Sequence, residues 1–183
     1  MASVIELIDE YTIPGVTAAF TLAGGSSATS GNGSVMDSTY DTYLLKWIAV
    51  DLQIDNRQIN FRFTASGTQV TDALYDSYAE RTRGSSFTDL QANNAQNGYL
   101  STGDDAPDQR TSAGFMYIYH PNDATKYTSS LVEEVGYSYN PYLQGMMGGT
   151  ILKKLEAHDG IYIFNGAGDS FQAGKFKLYG IRS

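Results

Sequence analysis

Gly160-Ile161-Tyr162-Ile163-Phe164-Asn165-Gly166-Ala167-Gly168-Asp169-Ser170-Phe171-Gln172-Ala173-Gly174-Lys175-Phe176-Lys177-Leu178-Tyr179-Gly180-Ile181 is the stretch that decides the fold. Two β-rich runs, Ile161 to Phe164 and Lys175 to Ile181, flank a connection punctuated by glycine, the pattern of two strands joined by a turn. An aromatic final strand with almost no tail is expected to close a β-module. Gly166, Gly168 and Gly174 are turn glycines, because no helix follows them and no Lys-Ser/Thr pair completes a phosphate loop.

Working outward, the same alternation recurs. Tyr43 to Ile54 reads as the strongest strand, with Leu44, Ile48, Val50, Leu52 and Ile54 on one parity, interrupted by Lys46. Asp55-Asn56 reads as a two-residue hairpin turn, since both residues tolerate positive φ. Beyond it, Ile59, Phe61 and Phe63 alternate with Asn60, Arg62 and Thr64, the mark of a half-buried strand. Val16 to Leu22, Leu74 to Arg81, Gly114 to His120, Thr128 to Tyr139, Thr150 to Ala157, Gly160 to Phe164 and Phe171 to Ile181 supply the remaining strands. Thr82 to Ser112 reads as a long polar loop of the kind that neighbouring subunits hold most easily. The expected fold is all-β, an antiparallel β-sandwich or jelly roll of about eight or nine strands with a short N-terminal arm or helix.

The chain of 183 residues is long enough for one core, and it divides into an arm, 1–14, and a sandwich domain, 15–183. In the arm, Val4, Ile5, Ile8 and Tyr11 fit one face of a short amphipathic helix, and an extended arm fits as well. Burying Val4, Ile5, Leu7 and Ile8 gains about 6–12 kcal/mol, at about 1.5–3 each. Fixing about eight backbone positions costs about 8–16 kcal/mol. The arm therefore needs a ready-made groove, on its own domain or on a neighbour, and its removal is expected to leave the domain folded.

Charge and composition narrow the function classes. Twelve Lys and Arg against twenty Asp and Glu give a net charge of −8, which opposes attraction to nucleic acid. No apolar run approaches the length of a membrane span, and Glu6, Asp9 and Glu10 stand where a signal peptide would be basic, so a soluble, unprocessed protein is expected. Cysteine is absent, which removes disulfides and thiol nucleophiles.

Chemistry has little to work with. His120 and His158 are the only histidines, each expected in a solvated turn, and no Gly-x-Ser-x-Gly elbow accompanies them. Asp104, Asp105 and Asp108 do not follow the spacing of a calcium loop. Glu133 and Glu134 point to opposite faces of a strand and cannot cooperate as an acid/base pair. No catalytic residue, metal or cofactor is assigned, and an enzyme is not expected.

The remaining candidates are contact residues. Tyr137, Tyr139 and Tyr142 stand beside Gly145-Met146-Met147-Gly148-Gly149, and Met and Tyr are enriched where proteins meet. With Val4, Ile5, Leu7, Ile8 and Tyr11, they and Met146 and Met147 form the candidate subunit-contact set. Trp47 is the candidate for stacking on a sugar, against a burial reading suggested by a strand apolar on both faces.

The order of these features, with Gly-Phe-Met-Tyr-Ile-Tyr-His-Pro at 114 to 121 and the Gly-Ile-Tyr-Ile-Phe and Phe-Gln-Ala-Gly-Lys-Phe-Lys-Leu-Tyr-Gly-Ile runs of the last quarter, resembles small all-β virion structural proteins of tailed phages of aquatic and cyanobacterial hosts. The resemblance covers about Tyr43 onward and leaves the first fourteen residues outside. It implies a jelly-roll or galectin-like sandwich, often trimeric, without enzymatic activity. The implied role is a capsid decoration or cement protein, made in the host cytoplasm and carried on the outer surface of the virion. Its partners would be copies of itself, as a homotrimer, and the phage major capsid protein. The alternative is a tail fibre or tail-associated adhesin that contacts tail proteins and binds a host glycan through Trp47.

Overall fold

The computed structural model describes residues 4–30, 32–54, 57–101, 111–137 and 142–182. Asp55-Asn56, the aspartates of 102–110 and Tyr139 lie outside these residues, as does the side chain of Val4.

Among the described residues thirteen strands form two antiparallel sheets packed as a sandwich. They are β1 (Val4–Thr12), β2 (Ala19–Ala23), β3 (Thr42–Leu52), β4 (Ile59–Ala65), β5 (Thr68–Gln69), β6 (Tyr75–Arg83), β7 (Ser86–Ala95), β8 (Gly98–Tyr99), β9 (Ser112–Tyr119), β10 (Thr128–Tyr137), β11 (Leu143–Leu152), β12 (Gly160–Asn165) and β13 (Phe171–Arg182). The large sheet runs β1-β13-β3-β9-β10-β11-β6-β7 and the small one β2-β12-β4-β5, with β8 also on β4. The all-β sandwich expected from the sequence is the fold observed.

The two strands of the deciding stretch do not pair with each other. β12 lies between β2 and β4 in the small sheet, whereas β13 lies between β1 and β3 in the large one. The glycine-rich connection thus carries the chain from one layer to the other. β3 and β4 are divided in the same way, so the expected hairpin is a crossing between sheets.

The core fills the space between the layers. Phe20, Phe171 and Phe176 pack together at ring separations of 4.8–6.2 Å, with Tyr11 stacked on Phe20 at 4.8 Å. Phe61, Phe63, Tyr75 and His158 form a second cluster. Aromatic pairs of this kind add about 0.5–1.5 kcal/mol each beyond the area they bury. Two buried tyrosines also keep polar partners. Tyr75 receives the Phe63 amide at 3.0 Å and donates to the Val70 carbonyl at 3.2 Å, and Tyr43 does the same for both backbone groups of Asp37. Burial pushes both phenols well above their ordinary range.

Several expectations need correction. The helix alternative for the N-terminal segment is replaced by strand β1, which supplies the outer partner of β13. The groove that the arm requires is therefore on its own domain. A bulge between Leu7 and Asp9 turns Asp9 inward, where its carboxylate accepts the Ala23 amide at 2.7 Å and Asn32 Nδ2 at 2.8 Å. Much of the expected polar loop from Thr82 to Ser112 is strand β7 with its turn from β6, and β7 closes the far edge of the large sheet with almost wholly exposed side chains.

In β3 the parity also switches. Tyr43, Leu45 and Trp47 point inward, then Ala49 adopts φ 51° at a bulge, and Val50 and Leu52 take over the inner face. Gly174 on β13 matches it at φ 132°, where a Cβ would sit 2.9 Å from Val50 Cα. The Gly145-Met146-Met147-Gly148-Gly149 segment, expected to lie beside a contact surface, is the middle of β11.

Candidate functional site

The inner face of the large sheet is core; its outer face is the most unusual surface of the molecule. Register pairing places one residue from each strand in continuous rows across it. One row reads Leu7, Tyr179, Leu44, Tyr117, Leu131, Gly149, Tyr78 and Gln91, in direct neighbour-to-neighbour pairing from β1 to β7. The next on one side reads Ile5, Ile181, Thr42, Tyr119, Ser129, Ile151 and Asp76. Solvated antiparallel faces ordinarily carry polar residues at such positions.

The apolar side chains of these rows reach solvent. Ile5 is 61% exposed, Tyr78 54% and Ile151 45%, with Leu7 and Leu131 also exposed. Tyr117 and Tyr119 stack at 6.3 Å, and Phe115 meets Tyr117 edge-on at 5.8 Å. Scattered exposed hydrophobes need no explanation, but a contiguous band marks a surface that meets another molecule.

A third row, on the other side of the first, carries charge. It reads Glu10, Lys177, Lys46, Phe115, Glu133, Met147, Glu80 and Asp89. Glu10 sits 3.4 Å from Lys175 and 3.2 Å from Lys177, and hydrogen bonding to Lys177 holds its carboxyl below the ordinary value. The β13–β3 side of the face is therefore basic toward its centre, and the β10–β6–β7 side acidic.

Relief is added by glycine. A Cβ on Gly149 would fall 2.7 Å from the Ser130 carbonyl oxygen, so the close approach of β10 and β11 excludes a side chain there. The result is a shallow depression on the outer face, walled by Leu131, Met147, Ile151 and Tyr78.

The contact residues expected from sequence divide among several places. Ile5, Leu7, Tyr137 and Met147 lie on the outer face and are exposed. Ile8 is half-buried at the β1 bulge, and Tyr11 is half-buried against Phe20. Tyr142 is exposed beside Gly84 at the end of the sheet, away from the main rows. Met146 is 4% exposed and belongs to the core, because its neighbour Met147 takes the outer position of the pair. Val4 pairs through its backbone with Arg182. Trp47 is 1% exposed, packed over Gly114, and offers no ring face to a sugar.

Leu44, Tyr117, Tyr119, Leu131, Ile151 and Tyr179 were not among the contact residues expected from sequence. Their alternation was readable, but which parity faces solvent was not.

His158 is fully buried, correcting the solvated-turn expectation: its Nδ1 lies 2.8 Å from Thr128 Oγ1 and its ring packs on Phe63. Burial lowers its pKa. Among the described residues no three His, Asp or Glu side chains gather where they could hold a metal ion. Asp159, adjacent to His158, is spent on structure, accepting Thr64 Oγ1 at 2.6 Å and the Gly67 amide at 2.7 Å.

Comparison with known proteins finds no family model, no curated protein and no solved structure that matches the chain.

Proposed function

We infer that this protein is a structural component of a phage virion, a capsid decoration or cement protein that works by contact area and not by chemistry. The observation that carries the assembly part of this reading is the outer face of the large sheet, where Ile5, Leu7, Leu131 and Ile151 stand exposed in rows shared with tyrosines and Met147 stands exposed in the next row. Burying such side chains stabilises a complex by about 1.5–3 kcal/mol each before the costs of association. The virion part rests on the sequence resemblance of the 114 to 121 and 160 to 181 segments.

In this role the module adds interface area between neighbouring capsid subunits, on the outside of a shell strained by packaged DNA. An acidic protein suits that position, because it is not drawn to the nucleic acid within. The adhesin alternative loses the side chain it depended on, since Trp47 is buried.

The test is the composition of purified particles. Quantitative mass spectrometry is expected to find this protein at a stoichiometry comparable to that of the major capsid protein. A stoichiometry typical of a tail or portal would shift the position on the particle, and absence would reject the virion reading.

A further inference from the structure

We propose that the outer face of the large sheet is a two-fold, self-complementary contact that binds a second copy of this same chain. This rests on reading that face as an assembly surface, and it names the occupant.

A two-fold axis lying along β9, midway between two such faces, keeps each row at its own height and reverses the strand order. It sets β3 over the partner's β10, β13 over the partner's β11 and β1 over the partner's β6. In an isologous contact every pairing occurs twice, so the face must complement itself about that axis.

Near the axis it does so in charge and in shape; at the margin Glu10 meets the partner's Glu80, where Lys175 and Lys177 beside Glu10 offset the like charge. In the charged row, Lys46 and Glu133 flank Phe115 symmetrically. The axis therefore brings Lys46 against the partner's Glu133, and Glu133 against the partner's Lys46. In the apolar row Tyr179 and Gly149 are equidistant from Tyr117. The axis drops the Tyr179 ring onto the depression at the partner's Gly149, the one place in that row where side-chain volume is missing. Leu44 meets the partner's Leu131 between them.

Size agrees. Seven strands overlap, and at about 4.8 Å between strands and about 3.3 Å per residue over about seven residues, each copy covers about 700 Å². The total of about 1,400 Å² lies in the range of stable specific interfaces. Sheets packed face to face cross at about 30°, so correspondence is closest near the axis, where Lys46 and Glu133 lie. The strand left outside the overlap is β7, whose side chains are mostly polar.

A charge-swap experiment tests this on the full chain, with oligomeric state read by light scattering after size exclusion and by sedimentation. The unaltered protein is expected to be a dimer. Lys46→Glu and Glu133→Lys, each alone, place like charges together twice per dimer and are expected to raise the dissociation constant by about tenfold or more. An equimolar mixture of the two single variants restores both opposite-charge pairs and is expected to dimerise about as tightly as the unaltered protein. Rescue in the mixture cannot arise from a pairing within one chain. Both positions are exposed, so circular-dichroism melts of the variants are expected to match the parent.

A monomer at all concentrations, a trimer, or a dimer indifferent to the single variants would each overturn the proposal. A monomer that is nevertheless abundant on particles would overturn it while leaving the virion reading intact. A swap-sensitive dimer absent from particles would do the reverse.

Discussion

The indole of Trp47 occupies the space that a side chain on Gly114 would need. A Cβ at residue 114 would lie 2.3 Å from Trp47 Cζ2 and 2.4 Å from the carbonyl oxygen of Glu133, so neither the ring nor the backbone of β10 leaves room. Gly114→Ala is expected to cost about 1–3 kcal/mol by overpacking. Chemical denaturation followed by the emission of this single tryptophan is the measurement, and an unchanged midpoint would contradict the packing described.

Asp9 ties β1 to the end of β2 and to the loop that follows. Its carboxylate is 2% exposed and serves the Ala23 amide and Asn32 Nδ2 at once. Asp9→Ala leaves the buried amide unpaired and is expected to destabilise the fold by about 1–3 kcal/mol. Asn32→Ala removes only the more exposed of the two bonds, so urea unfolding should show the smaller loss for that variant.

Removal of residues 1 to 12 is expected to destabilise the domain, in contrast to the separable arm that the sequence suggested. The deletion strips β13 of its outer partner, takes Tyr11 off Phe20 and orphans the Ala23 amide. It also exposes an unprotected strand edge, which favours aggregation. A lower melting temperature with rising light scatter is the expected result. A truncated chain as stable as the parent would show that β1 contributes nothing.

His158 makes stability depend on pH in a defined window. The unfolded chain protonates its imidazole near the ordinary value of 6.5, whereas burial lowers the folded value. Above 6.5 both states are neutral and the full stability is present. As pH falls below that, the unfolded state takes up a proton first, and stability declines until the folded value is passed. Melting temperature is therefore expected to drop between about pH 6.5 and 5.5, above the range in which ordinary carboxylates titrate. His158→Gln should flatten that slope, whatever it does to absolute stability.

Ala49 carries the bulge of β3 at φ 51° and is exposed. Ala49→Val is expected to destabilise by about 1–2 kcal/mol, because a β-branched residue is poorly accommodated in the left-handed region. Ala49→Gly should be neutral to slightly stabilising, and thermal melts of the pair would separate backbone strain from lost packing.

The places where sequence and structure part have common physical causes. β4, β10, β12 and β13 were legible because their alternation is unbroken or their aromatic residues are dense. β1 imitated a helix because its apolar residues lie on both faces of the strand, Ile5 outside and Tyr11 against Phe20, so their spacings of three mark no single buried side. β3 was legible as a strand, but the bulge at Ala49 moved Leu44 and Ile48 to the opposite face from Val50 and Leu52. β7 carries only Phe87 and Leu90 as large apolar residues, too few to show an alternation, and β6 is the one strand it pairs with among the described residues.

The outer face was half legible: Ile5, Leu7, Tyr137 and Met147 were named, and Tyr179, Leu131 and Ile151 were not. Sequence alternation tells that a strand has two faces; only the second layer decides which is buried. Nor could His158 be placed, since its contacts Thr128 and Phe63 are distant in the chain.

The two margins of the large sheet differ from its face. At one, β1 is kinked at Ile8 and carries Glu6 and Glu10; at the other, β7 bears Asp89, Asn93 and an Asn94 turned to φ 54°. Neither border is a straight, apolar template on which another chain could zip, so lateral growth into a ribbon is discouraged at both ends. A molecule that meets the large sheet is therefore directed to its outer face and away from its borders.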